Sequence, residues 1–497
     1  MKEDASQSQT LGNCYFIAGL VAFAEDRDRL DKVFVIKEAN NAGIYAFNLY
    51  LRGKPIIVTI DDRIAFKQGA TSTQTVPLFA DIGVDGALWA PLLEKAWAKL
   101  NGNYERTAAG WQHEALRVVS GAPSYDYLTS KYEADEIWEL LDEADRKNYI
   151  MGAGTAGTGD HALKNSVGLS QSHAYSVIGA YALKDGRGNI VEKLLLLRNP
   201  WGFETYSGPY SDNDSRWTQG ANLQYPADFR TQVPYENKDQ GVFFIDMDTF
   251  KASFLYFLVQ YHRADWVVNY YEVLEDDGRL HKFFFDVGYT QDMHVAADTY
   301  DPRMYPYGCK DQKVMAQMLV RKVGSTEKIA EKYFSDWIGF GHVFIEDVPP
   351  GKYEIYVQYA WPADQPTVND FTIRVYAPET FPIKDTSGAE SRNTSHDFDL
   401  WDEVLREREE EKSLEDVSAQ MISELKAVVE NPALKGDYTY VDEGWYNEIT
   451  GPVVVTNQIT SAKETHNSRS LYIYSESQGT YDLSLQIAVK TKDMPKI

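Results

Sequence analysis

Two cysteines, Cys14 and Cys309, are all that 497 residues contain. So few thiols exclude a disulfide-stapled scaffold and leave no paired-cysteine motif for a structural zinc; a reducing, cytoplasmic setting is the expectation. Long apolar runs are missing too. None approaches the roughly 20 residues that cross a bilayer, and the opening MKEDASQSQT lacks the apolar stretch of a secretory signal. Positive charge is scarce: 49 Lys and Arg stand against 74 Asp and Glu, a net charge of −25. A nucleic-acid partner, which asks for a basic footprint, is therefore not expected. What the chain does have is packing material. Hydrophobic residues make up 43% and aromatics 13%, which suits folded domains, and the length suggests three or four of them.

Periodicity divides the chain into four stretches. Residues 1–119 read mainly helical, with helices over Cys14–Glu25 and Gly86–Gly102 and short strands at Ile44–Leu51 and Lys54–Asp61. Residues 120–264 open with an amphipathic helix, Tyr132–Lys147, and continue as strands in NYIMGAG, HAYSVIGAYAL, KLLLLRNP and GVFFIDM, the pattern of an antiparallel sheet. Residues 265–384 alternate polar and apolar positions between turns such as EDDG and PPGK, the pattern of a β-sandwich. Residues 385–497 begin with a charge-dense helix whose Val417, Met421, Leu425 and Val428 fall on one stripe, and end in strands of a small β module. The overall class is α+β.

Chemistry concentrates in three short segments. LGNCYFIAGLVAFAE puts Cys14 at the start of an apolar helix. SQSHAYSVIGAY puts His173 at the head of a strand, and KLLLLRNPWG ends a buried strand at Asn199 because Pro200 cannot continue the ladder. Each has a bland reading by itself: a core thiol, a histidine bonded at a strand end, an amide capping a turn. Together they suit thiol catalysis. A helix N-terminus and a nearby imidazolium lower a thiol's pKa, His173 serves as base and then acid, and Asn199 holds the imidazole tautomer. A hairpin across KDGRGN would set His173 and Asn199 side by side.

Those segments, with LWAPLLEKAWAKLNGNYE, GPYSDNDSRWT and DQGVFFIDMDTF, resemble the calpains, intracellular cysteine proteases, over about residues 6–262. The resemblance implies a papain-like core of two subdomains, a helical one carrying Cys14 as nucleophile and a β-rich one carrying His173 as general base and acid and Asn199 as orienting residue. It implies Trp201 beside the cleft, extended protein substrates, and a C2-like identity for the sandwich that follows. Membrane or phospholipid contact, or cation binding, through loops such as Val273–Gly278 is a further possibility of that likeness.

The pattern has departures. The family's oxyanion glutamine, six residues before the cysteine, is Ser8 here, flanked by Gln7 and Gln9, either of which is expected to reach in through a shifted backbone if the enzyme is not slow. The chain starts only 13 residues before Cys14, where calpains carry more structure, so a truncated start or a missing supporting shell is expected. Calpain cores hold two calcium ions on acidic side chains; here the matching positions are Ala87, Thr205, Gln240 and Val242, with only Asp212 acidic. No cofactor is therefore expected to be required, and calcium is left with degenerate core ligands. Cys309 is read as a spectator. The alternative to a protease is a non-catalytic homologue acting as an adaptor; a transglutaminase-type acyltransferase is disfavoured by NPWG after Asn199.

Overall fold

In the computed structural model, the described residues are 5–8, 10–36, 40–68, 75–83, 86–157, 163–218, 228–235, 241–304, 314–325, 327–336, 340–361 and 368–389, with strands at 438–442, 469–475 and 485–487. They form two compact units: residues 1–38 with 44–396, and residues 39–43 with 397–497. The mixture of helix and sheet is α+β.

Helix α1 (Cys14–Phe23) is the centre of the first unit. CYFIAGLVAF has no polar face, and all ten of its residues are buried, as expected of a helix surrounded on every side. Short α2 (Arg27–Val33) follows, capped by the Asp26 side chain accepting from the Asp28 N–H. Strands β1 (Ile44–Leu51) and β2 (Lys54–Asp61) pair antiparallel with Leu51 opposite Lys54. The two-residue turn between them, Arg52–Gly53, has φ of 52° and 72°, the left-handed pair whose twist matches a hairpin. A second small ribbon joins β3 (Phe66–Gln68) to β4 (Thr75–Pro77). Helices α3 (Trp89–Asn101) and α4 (Gln112–Ser120) then pack about α1, close enough that a Cβ at Gly19 would meet Leu116 of α4 at 3.4 Å, an ordinary contact.

A six-stranded antiparallel sheet lies beside this helical layer, in the order β5 (Ser124–Leu128), β10 (Phe254–Gln260), β6 (Ile150–Thr155), β7 (Ala174–Lys184), β8 (Ile190–Arg198), β9 (Val242–Asp246). Strand alternation decides what each face meets. Ile150, Ala174, Tyr256 and Leu258 join the core around α1. Met151, Ala153, Tyr175, Val177, Phe257 and Val259 join a second core under α5 (Ala134–Arg146) and α6 (Met247–Ser253). The sheet is therefore buried on both faces, which is why β6 reads as a continuous apolar and glycine run rather than an alternating one.

Beyond it, two sheets pack face to face. One runs β11 (Val267–Val273), β18 (Phe371–Ala377), β13 (Gln291–Asp298), β16 (Phe340–Val348); the other runs β15 (Ala330–Asp336), β14 (Val314–Lys322), β17 (Gly351–Ala360), β12 (His281–Val287), β19 (Lys384–Asp385). Their inner side chains, among them Phe283, Phe285, Val295, Met318, Ile355 and Ile373, form one apolar core, the arrangement of a β-sandwich. The second unit contains a three-stranded antiparallel sheet of β20 (Tyr438–Asp442), β21 (Arg469–Ser475) and β22 (Leu485–Ile487). The charge-dense helix expected before it lies outside the described residues, as do Cys309, Gln9 and Gln240. No described helix is long and apolar enough to cross a membrane.

Candidate active site

Cys14 is the first residue of α1 and is 7% exposed. The residue before it is pinned: Asn13 is fully buried, and its Nδ2 donates to Glu94 Oε1 of α3 at 2.7 Å. The other carboxylate oxygen of Glu94 accepts the Ala80 N–H at 2.9 Å. Glu94 is itself buried, and burial, with the charge of Asp81 nearby, pushes its carboxyl up to about 7 against the pull of those two donors.

His173 immediately precedes β7. Its backbone is fixed by Thr155 at the end of β6: the Thr155 N–H donates to His173 O at 2.9 Å and the His173 N–H donates to Thr155 Oγ1 at 3.0 Å. Asn199 immediately follows β8, with its N–H donating to Gly241 O at 2.8 Å. Gly241 sits at φ 74°, and a Cβ there would come within 2.8 Å of Asn199 O, so this turn requires glycine. Because β7 and β8 pair antiparallel, with Ser176 opposite Arg198, the residue before one strand and the residue after the other meet. His173 Nε2 lies 2.9 Å from Asn199 Oδ1, and both side chains are at most 2% exposed. The amide orientation is independently determined: the Trp201 N–H, which can only donate, points at the same Oδ1 at 3.1 Å. Asn199 therefore presents an acceptor to the imidazole, which places a proton on Nε2 and leaves Nδ1 as the basic nitrogen. The Trp201 ring lies 4.3 Å from the His173 ring, centroid to centroid, and Tyr175 meets it edge-on at 4.9 Å.

The thiol joins this group through β7. The backbone of Ala174, next in chain to His173, lies close enough to the Cys14 sulfur to favour its thiolate, as does the backbone of Tyr15 and of Cys14 itself. Direct bonds tie α1 and its neighbours to the sheet. Ser176 Oγ donates to Ala18 O at 2.7 Å, Gln112 Nε2 to Tyr175 O at 3.0 Å, the Gln7 N–H to Pro200 O at 2.8 Å, and Arg198 Nη1 to Ala5 O at 2.8 Å.

One expectation needs correction. Burial raises the Cys14 thiol above its ordinary value, outweighing the backbone of Ala174 on β7 and of Cys14 and Tyr15 at the helix start, because desolvation of a thiolate costs more than a helix terminus returns. Gln7, one of the two candidate oxyanion donors, spends one Nε2 hydrogen on Leu11 O at 2.6 Å. At the glutamine position itself, the Ser8 hydroxyl donates to Leu78 O at 2.7 Å.

The positions matched to calpain calcium ligands are filled by other work. Ala87 packs on the core around α1, Val242 packs on the apolar cluster under β8 and β9, and the Thr205 hydroxyl donates to Gly168 O at 2.6 Å. In the sandwich, Asp276, Asp277 and His281 bring ligand atoms within 4.8 Å of one another. Asp276, however, is 4% exposed, and its two oxygens already meet His281 Nε2 and Trp361 Nε1, each at 2.7 Å. That carboxylate already serves as an acceptor for both partners within the sandwich.

Sequence reading missed Glu94 and Arg303 near this site; both act through partners distant in the chain, and no local spacing marks them. Residues 1–259 match the sequence profile of the family described as calpain family cysteine protease. Among curated proteins, the chain is 30% identical over 251 residues to the calpain-type cysteine protease DEK1 of Zea mays, a match covering 49% of this chain and 11% of that protein. It is 30% identical over 259 residues to calpain-12 of Mus musculus, covering 51% and 34%, and 30% identical over 253 residues to calpain-14 of Homo sapiens, covering 50% and 34%. The match thus spans about a third or less of those relatives' length. With a family profile matched over more than half its residues, this chain belongs to the calpain family of cysteine proteases.

Proposed function

We propose that this protein is a cysteine endopeptidase that cleaves accessible segments of other proteins, with Cys14 as nucleophile, His173 as general base and acid, and Asn199 as the residue that orients the imidazole. The observation that carries this reading is the His173–Asn199 bond of 2.9 Å, on the residue next in chain to Ala174, whose backbone lies near the Cys14 thiol. With the resting thiol protonated, attack on the scissile carbonyl is coupled to transfer of its proton to His173 Nδ1. The imidazolium then protonates the leaving amine as the carbon–nitrogen bond breaks, giving an acyl-thioester. Water, deprotonated by the neutral imidazole, hydrolyses the thioester and regenerates the thiol. Oxyanion charge falls to backbone N–H groups at the start of α1. Without a glutamine at position 8, this is a weaker cradle, and a donor of that kind is worth about 10² to 10³ in rate, so the enzyme is slow.

The helical and β-rich parts act as the two papain-like subdomains, and the core works without calcium because, of the matching positions, only Asp212 offers a carboxylate. The sandwich is read as C2-like, with a cytoplasmic location for the whole. The decisive experiment is labelling with an epoxide that alkylates papain-like thiols, read by mass spectrometry. Modification of Cys14 that disappears in His173→Ala supports the protease. A chain that folds, but whose Cys14 resists the epoxide from pH 5 to 9, refutes it. That result would favour the adaptor reading, for which the raised thiol and the engaged Ser8 speak.

A further inference from the structure

The sandwich reaches back to the nucleophile through one side chain. Arg303 follows β13 by five residues and lies in a short turn, Pro302–Met304. Its guanidinium does not stay with the sandwich. Nη1 donates to Arg106 O at 3.0 Å and Nη2 to Ala109 O at 2.8 Å, while Nη2 also pairs with Glu114 Oε2 of α4 at 2.6 Å. The guanidinium carbon sits 5.3 Å from the centre of the Tyr15 ring. Tyr15 is the residue after Cys14 and is 1% exposed.

The segment Arg303 grips is the one that holds both sides of Cys14. The Ala109 N–H donates to Gly12 O at 2.8 Å, two residues before the cysteine. The Tyr15 hydroxyl donates to Thr107 O at 2.9 Å and accepts from Trp97 Nε1 at 3.1 Å. Gly110 shows how closely these parts fit. A Cβ there would lie 2.5 Å from Arg303 Nη2, 2.8 Å from Glu114 Oε2 and 2.8 Å from Tyr15 Cζ, so glycine is required by close approach rather than by backbone angle. A planar fork that donates to two carbonyls while pairing with a carboxylate is a task for arginine and not for lysine.

We propose that Arg303 is a positioning residue for Cys14: through residues 106–110 it fixes Gly12 and Tyr15, so the sandwich holds the nucleophile in register with His173. This rests on reading Cys14 as the nucleophile. It makes the sandwich a working part of the site rather than an appendage, and any event that lifts the Pro302–Met304 turn would loosen the start of α1 first.

The test uses the full chain. Arg303→Met is combined with Glu114→Gln so that no buried carboxylate is stranded. The control is Glu272→Gln, which removes a different tie between sandwich and hairpin, the pair of Glu272 with Arg52 and Lys54. Hydrogen exchange is followed in peptides spanning residues 10–16 and 105–110, alongside peptide hydrolysis. The double variant is expected to exchange in both peptides at least about tenfold faster than wild type and control, and its kcat to fall on the order of tenfold with KM little changed, the signature of a displaced nucleophile. Arg303→Lys, which keeps the charge but not the fork, is expected to resemble the double variant. Unchanged protection over residues 10–16, or loosened protection with kcat unaltered, overturns the proposal. A wild type that does not hydrolyse peptides defeats the protease reading instead, and the exchange comparison still decides the brace.

Discussion

Two sets of buried histidines show how differently an imidazole can be partnered within one fold. His173 is 2% exposed and has an oriented acceptor, Asn199 Oδ1, and the backbone of the next residue lies near the Cys14 thiol. His294 of β13 is equally buried but lies in an aromatic cage: Phe344, Tyr261, Trp266 and Tyr125 have ring centres 4.6 to 6.0 Å away. His342 of β16 meets the edge of Tyr125 at 4.0 Å. Burial, helped by Arg374 and Arg263, pushes His294 down to about 3, and burial with the neighbouring charges holds His342 well below the ordinary histidine range. Equal burial therefore comes with different partners: His173 meets an oriented acceptor, whereas His294 and His342 lie among aromatic rings and near arginines that disfavour the charge.

The largest effect comes from breaking the first set. Cys14→Ala and His173→Ala are each expected to lower kcat/KM for an unfolded protein substrate by at least about 10³, while Asn199→Ala, which leaves the pair but not the orientation, costs less. Melting temperatures within a few degrees of wild type would show that the loss is chemical. The second set is broken by acid. A histidine whose folded pKa is depressed stabilises nothing above 6.5 and destabilises progressively below it, because only the unfolded chain takes up the proton. From a folded value of about 3, His294 alone takes away about 3 kcal/mol between pH 6.5 and 4. Denaturant unfolding across that range is expected to show the loss, and His294→Phe to flatten it. A flat wild-type profile would sink this account.

How much of this could be read from the chain differs from element to element. Ile44–Leu51 and Lys54–Asp61 emerge as β1 and β2 with the expected bounds, because alternation and a left-handed turn are local properties. The expected helix over Gly86–Gly102 shortens to Trp89–Asn101, and that over Tyr132–Lys147 to Ala134–Arg146. Helix α4 was invisible to periodicity: Gln112, His113 and Arg117 are all buried, each with a distant partner (Tyr175 O, Asp126, and Asp298 with Asp301). A search for an apolar stripe cannot see a face whose polar groups are satisfied from elsewhere in the fold. In the site, Asn199 stood out because a buried strand stops there before Pro200. Arg303 carries no such mark, because its partners Arg106 and Ala109 lie 197 and 194 residues away.

Glu94 sharpens the comparison with the opposite sign. It is buried like His294, but its neutral form is the acid, so with a folded value of about 7 against 4.5 it favours folding less as pH rises. The cost between pH 4.5 and 7 is on the order of 3 kcal/mol. Glu94→Gln cannot ionise. The difference in unfolding free energy between wild type and variant should therefore change by about that amount over this window, with wild type losing ground as pH rises. Because Glu94 also holds Asn13 beside Cys14, the variant should alter the pH profile of hydrolysis near neutrality. A difference that does not vary with pH would mean that the carboxylate is not buried in solution.

The smallest expected effect is a null one. Elsewhere in the family, calcium draws the two halves of the core together; here the helical layer and the sheet are joined by bonds that need no ion, from Ser176 to Ala18, Gln112 to Tyr175, Gln7 to Pro200 and Arg198 to Ala5. An oxygen-seeking cation needs several carboxylates, and Ala87, Thr205 and Val242 supply none. A ligand that binds the folded form at a hundred times its Kd adds about 2.7 kcal/mol of stability, so a genuine core site would be plain in a melting curve. Hydrolysis should stay within about twofold, and melting should not move, when a chelator replaces millimolar calcium. Calcium that raised the melting point without changing hydrolysis would point away from the core and toward the Asp276 turn of the sandwich, whereas abolished hydrolysis would return the ion to the cleft and make the four direct bonds insufficient to align His173 with Cys14.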